Sequence, residues 1–73
     1  MSVRHPVIYE KGPVSWGASV PDLPGCFAVG ATRDEVERLV REAIEAHIEG
    51  LRESGIPIPD PAHEVGEVEV TTA

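Results

Sequence analysis

Cysteine is nearly absent from this chain: Cys26 is the only one. A single thiol excludes an internal disulfide framework and a zinc site built from cysteines. Aromatic residues are almost as scarce, limited to Tyr9, Trp16 and Phe27. Three rings are too few for the stacking platforms that hold single-stranded nucleic acid. Positive charge is also short, with 6 basic residues against 13 acidic ones and a net charge of -7. Phosphate contacts need a positive face, so direct nucleic-acid binding is not expected. A basic protein partner suits this charge better. No apolar run is long enough to span a bilayer, and the N-terminus lacks the charged-then-apolar plan of a signal peptide. No membrane partner is expected, and the expected location is the cytoplasm.

What remains is a small globular composition, 41% hydrophobic and 26% charged over 73 residues. That length makes one domain, residues 1–73. A domain this small buries only about 60% of its unfolded surface, so its core is thin and a lone monomer is marginal.

Val3 to Glu10, with its Val-Ile-Tyr run, reads as a first strand. Pro6 lacks an N–H and belongs near the strand start or on an edge. Lys11-Gly12-Pro13 is turn chemistry. Val14 to Val20 reads as a second strand with Trp16, Ala18 and Val20 on one face. Pro21-Asp22-Leu23-Pro24-Gly25 predicts a rigid bend, in which Gly25 supplies a positive φ. Cys26 to Ala31 is a third strand, with Gly30 marking a bulge or the exit to a helix.

Thr32-Arg33-Asp34-Glu35 has the form of a capping box, Thr32 and Glu35 each reaching the other's amide. It predicts a helix from Arg33 to about Ser54. Val36, Leu39, Val40, Ala43, Ile44, Ile48 and Leu51 recur at three- and four-residue spacing and make one apolar stripe. Gly55 suits the left-handed position after the helix, and Pro57 forbids its continuation. Ile56 to Pro61 should be extended and stiff. In Val65 to Thr71, Val68 and Val70 alternate with Glu67 and Glu69, which reads as a fourth strand with one wet face. The expected fold is therefore α+β, in the order β-β-β-α-β, with one long helix packed on a small sheet. Right-handed crossover places the fourth strand parallel to the first.

Chemistry is thinly represented. A metal-dependent nuclease needs carboxylates converging on divalent ions, and nothing in the spacing of Glu10, Asp22, Glu67 and Glu69 fixes such convergence. His5, His47 and His63 are not at ligand spacing. His47 falls within the apolar stripe and reads as a packed or interface residue. Cys26 reads as a small buried hydrophobe. Gly25 and Gly30 lack the Lys-Ser/Thr ending of a phosphate loop. No catalytic residue, metal or cofactor is expected.

The outer face of the helix carries Glu42, Glu45, Glu49 and Glu53. The last three repel one another at four-residue spacing and lie toward the end where the macrodipole disfavours negative charge. Arg41 and Arg52 offset part of this. A solvated face that keeps the protein soluble explains the pattern, as does an electrostatic patch for a basic partner.

The string Val20-Pro21-Asp22-Leu23-Pro24-Gly25-Cys26, then Gly30-Ala31-Thr32 and Glu35, resembles the HicB-type antitoxin family. The resemblance continues through Glu42-Ala43-Ile44, His47-Ile48 and Leu51 to Gly55-Ile56-Pro57-Ile58-Pro59-Asp60-Pro61, and so covers nearly the whole chain. It implies a truncated RNase H-like fold whose nuclease carboxylates are missing. It also implies binding and neutralisation of a small basic HicA-type toxin that degrades mRNA. Many members carry a C-terminal DNA-binding segment. This chain ends at Ala73, directly after the expected fourth strand, so no such module is expected here. Pro21, Leu23, Pro24, Gly25, Cys26, Thr32, Glu35 and Gly55 are read as structural. Asp22, on an exposed bend, is the motif residue expected to touch a partner, together with Glu42, Glu45, Glu49 and Glu53.

The leading expectation is thus an antitoxin-like binding protein that is not an enzyme. The alternative is an orphan oligomeric module for protein interaction or small-ligand binding, with no toxin. A residual metal-dependent nuclease is the third possibility. A thin core and an open sheet edge favour a homodimer or tetramer, formed by strand pairing or the helix flank near His47.

Overall fold

The computed structural model describes residues 3–72. Three short strands come first, β1 (Ile8–Lys11), β2 (Trp16–Ser19) and β3 (Phe27–Gly30), followed by one helix, α1 (Arg33–Glu53). The strands form an antiparallel meander with β2 in the middle. Register places Tyr9 opposite Ala18 and Ala18 opposite Ala28; Lys11 is opposite Trp16, and Trp16 opposite Gly30. These rows face the helix. The intervening rows, Ile8–Ser19–Phe27 and Glu10–Gly17–Val29, lie on the other face.

Each strand is shorter than the sequence predicts. At the first turn Gly12 N–H donates to the Ser15 carbonyl at 2.7 Å, which keeps Pro13 and Val14 out of the ladder. Between β2 and β3 the bend is two successive turns. Leu23 N–H donates to the Val20 carbonyl and Cys26 N–H to the Leu23 carbonyl, at 3.1 and 3.0 Å. The Val20 N–H to Cys26 carbonyl bond, at 3.1 Å, closes the loop. Gly25 sits at φ +84°, as its position predicts. This geometry turns Leu23 inward, where it has no exposed surface. With Ala18, Val20, Cys26, Val36 and Val40 it forms the buried core.

The helix starts where Thr32 predicts. Its hydroxyl accepts from the Glu35 amide at 3.1 Å, which is the forward half of the capping box. At Gly30 the end of β3 lies close against the start of the helix. A Cβ there would lie 2.9 Å from the Val36 amide nitrogen. The helix ends in a Schellman motif, Ile56 N–H to the Leu51 carbonyl at 2.9 Å and Gly55 N–H to the Arg52 carbonyl at 3.1 Å. Gly55 supplies φ +69°.

Helix and sheet differ in length. Twenty-one residues make about 31 Å of helix, whereas a four-residue strand covers about 13 Å. Only Val36 and Val40 of the apolar stripe are buried; Leu39, Ala43, Ile44, Ile48 and Leu51 remain half-buried.

The expected fourth strand is not formed among the described residues. Val65 to Thr71 runs as an irregular, exposed segment, with Val68 at 88% exposure. Alternation of Val and Glu makes a segment fit for a ladder but does not supply the neighbouring edge. Among the described residues the sheet is three-stranded, without the parallel closure beside β1. Ala73 itself, the expected end point after that strand, lies outside the described residues.

Candidate partner-binding surface

The acidic positions read from the sequence fall in two different environments. Glu42, Glu45, Glu49 and Glu53 lie on α1; Glu42, Glu49 and Glu53 are exposed and Glu45 is exposed as well. At 100° per residue they share one stripe of the helix, opposite its apolar side. The helix ion pairs among the described residues are Arg33–Glu37 at 3.5 Å and Arg38–Glu42 at 3.4 Å. The offsets expected from Arg41 and Arg52 are thus not made. Glu45, Glu49 and Glu53 present their carboxylates to water, and surface pairs of this kind contribute little to stability in any case.

Asp22 is different, and the expectation of an exposed residue is corrected. Its side chain is only 4% exposed. The bend turns it toward the C-terminal segment, where three contacts converge on it. Oδ1 accepts from the Ala62 amide at 2.9 Å and lies 2.7 Å from Nδ1 of His63; Oδ2 accepts from the His63 amide at 3.4 Å. The His63 side chain is the main cause holding the Asp22 carboxyl below its ordinary range; burial opposes it, and the two amides assist. Asp22 is therefore a latch on the chain after the helix. Sequence reasoning missed His63 as its partner, because the pairing spans the whole domain. The only local signal was a carboxylate set between two inward-turning residues.

Two further surfaces stand out. The sheet face away from the helix exposes Ile8, Phe27 and Val29, at 48, 67 and 59%. Along the free edge of β1 runs a groove of about 600 Å³ between the N-terminal segment and α1, lined among others by Val7, Tyr9, Val40, Ile44 and Ile48. Arg33 lies over the Tyr9 ring at 3.4 Å, tying the helix start to β1. Cys26 is buried, and burial pushes its thiol up from the usual range. Among the described residues no group of three or more His, Cys, Asp and Glu is placed to hold a metal ion, and no helix is long and apolar enough to cross a membrane.

Comparison with known proteins places this architecture. The chain is 42% identical over 55 residues to an uncharacterised 14.9 kDa protein from the rep–hol intergenic region of Haemophilus phage HP1. That match covers 75% of this chain but 41% of the phage protein. It is 46% identical over 48 residues to the UPF0150 protein Ta0767 of Thermoplasma acidophilum, covering 64% of this chain and 70% of that one. Among solved structures, a chain of a HicA3 and HicB3 toxin–antitoxin complex superposes with a TM-score of 0.68 at 32% identity, over 82% of this chain and 70% of that chain. A family profile described as the HicB-like antitoxin of bacterial toxin–antitoxin systems matches residues 5–71, from the His5 end of the groove, through the Asp22 bend and the capped helix, to the end of the latched segment. The chain belongs to the HicB-like antitoxin family.

Proposed function

We propose that this single domain binds a small basic mRNA-cleaving toxin of HicA type and neutralises it by protein–protein contact. The observation that carries the reading is the match to a chain of the HicA3–HicB3 complex, at 32% identity over 82% of this chain. The stripe of Glu42, Glu45, Glu49 and Glu53 gives it a physical means. These carboxylates are exposed and the last three are unpaired among the described residues, so they are free to meet cationic side chains that would otherwise contact RNA phosphates. Asp22 acts at one remove, by placing the chain beyond Pro61. The site is one of binding and works in the cytoplasm without metal or cofactor.

The test is a pull-down of tagged protein at low and high salt, followed by an RNA-cleavage assay of what is recovered. A small basic ribonuclease, released by salt and silenced by stoichiometric return of this chain, is the expected result. The triple variant Glu45→Lys, Glu49→Lys, Glu53→Lys should weaken that complex by about tenfold or more at low salt while circular dichroism stays helical. Unchanged affinity rules out the helix stripe as the contact.

A second reading has its own observation. The uncovered apolar sheet face of Ile8, Phe27 and Val29 suits an oligomeric interaction module that has no toxin. Recovery of the chain alone from its native cytoplasm decides for that reading.

A further inference from the structure

The sheet face away from the helix has a hollow at its centre. Gly17 lies in the middle strand, with Glu10 beside it on β1 and Val29 beside it on β3. Over it opens a depression of about 210 Å³, lined by Glu10, Gly17, Ser19, Phe27 and Val29, with Ala18 and Ala28 completing it.

Nothing inside the domain asks for glycine at this position. Among the described residues the glycines with positive φ are Gly25 and Gly55, not Gly17. A Cβ on Gly17 would meet nothing within 4 Å. Gly30 is the contrast, since there the helix backbone occupies the space a side chain would need. A bare Cα inside a central strand weakens that strand, and it marks places where another group approaches the backbone closely. What Gly17 provides is the hollow itself.

The walls define what fits. Phe27 and Val29 are exposed apolar side chains on β3, as is Ile8 on β1. In the rows Ile8–Ser19–Phe27 and Glu10–Gly17–Val29 the one charged residue is Glu10, and Ser19 adds a hydroxyl. Two strand spacings, about 10 Å, separate Glu10 from Val29 across Gly17. That gap admits a single side chain and not a helix, which is about 10 Å across with its own side chains. Apolar walls with one carboxylate and one aromatic ring match an arginine. Its stem packs on apolar surface. Its guanidinium pairs with a carboxylate through two N–H groups and stacks on an aromatic face.

We propose that this hollow is a docking site for an arginine side chain presented by a basic protein. The stem crosses Gly17 against Val29, and the guanidinium lies between the Glu10 carboxylate and the Phe27 ring. The chain's net charge of -7 draws such a partner in. The helix covers the other face of the sheet, and its Glu stripe points away from the sheet, so stripe and hollow face opposite ways. The hollow is a separate site, and its occupancy does not rest on a toxin at the stripe.

The test titrates the isotope-labelled full chain with the peptide acetyl-Gly-Arg-Gly-amide and follows backbone amides by NMR. Saturable shifts centred on Gly17, Ser19 and Val29 are expected at millimolar peptide. Norleucine in place of the arginine keeps an apolar stem and loses the charge; it should bind about tenfold more weakly, as should the arginine peptide to Glu10→Gln. Gly17→Val fills the hollow and should abolish the shifts while circular dichroism and Tm hold, because a β-branched residue suits a strand. Phe27→Ala, a change at the exposed rim, should weaken binding several-fold and decides the matter if Gly17→Val does not fold. Equal binding of the norleucine peptide overturns the proposal, as do shifts that survive in folded Gly17→Val or shifts confined to the Glu stripe of α1. Shifts at Phe27 and Val29 that follow protein concentration without peptide place a second copy on this face and overturn it too.

Discussion

His63 reaches Asp22 across 41 residues of sequence, Nδ1 to Oδ1 at 2.7 Å. The contact is an ion pair when the imidazole is protonated and a hydrogen bond when a neutral ring carries its proton on Nδ1. In either form it fixes where the chain goes after its three prolines. It also gives the Pro-Asp-Leu-Pro-Gly-Cys string a role beyond turning a corner: Leu23 fills the core while its neighbour holds the segment that follows the helix.

Substitution of Asp22→Asn keeps the shape and removes the charge. The substituted side chain can still accept one bond from Ala62 through its amide oxygen but no longer offers two equivalent oxygens to His63. Hydrogen exchange at the Ala62 and His63 amides is expected to quicken several-fold, with exchange at Val36 and Val40 unchanged. Equal exchange in both proteins would show that the prolines alone position the segment.

Acid should open the same latch. The Asp22 carboxyl is lowered in the folded protein, so its contribution is present above the unfolded value of about 3.9 and is lost as pH falls through the lowered folded value. The Ala62 amide shift, followed by NMR, should titrate with a midpoint below the ordinary carboxyl value; a midpoint at or above that value contradicts the arrangement.

Leu23→Ala removes a side chain with no exposed surface. Core truncations of this kind cost about 2–5 kcal/mol, against a total stability of about 5–15 kcal/mol for ordinary domains. Urea unfolding should show the variant at the margin of folding. A loss below about 1 kcal/mol would mean that the bend relaxes to fill the space.

Gly30→Val should be destabilising, because its Cβ meets the Val36 backbone at 2.9 Å and neither partner can rotate away. Overpacking of about 1–3 kcal/mol is expected, visible as a drop in Tm of several degrees or more. Gly17→Ala is the control, since a Cβ there meets nothing within 4 Å. Equal melting of the two variants would remove Gly30 as the contact that seats the helix.

What could be read in advance divides by range of interaction. Thr32, Gly55 and Gly25 act within a few residues of themselves, and cap, stop and bend all lie where local rules put them. The helix was legible because its stripe, Val36 to Leu51, repeats over about four turns. Strand ends were not, because Val14 is β-compatible yet sits in the turn that Gly12 and Ser15 close, while Lys11, read as part of that turn, belongs to β1. Val65 to Thr71 has the alternation of a strand, but pairing depends on an edge that the segment does not carry. Asp22 looked exposed because a bend between prolines is ordinarily wet, and its partners come from residues 62 and 63. The Glu stripe of α1 was legible as geometry, since helical spacing alone sets it.

The overhang of α1 past the sheet gives the helix unequal ends in time as well as in space. Its first turns are clamped by the Thr32 cap, the Gly30 contact and the buried Val36 and Val40. Beyond Ile48 it has little beneath it but its own hydrogen bonds. Such a helix opens by fraying inward from Glu53, so amide protection should fall progressively along it rather than all at once.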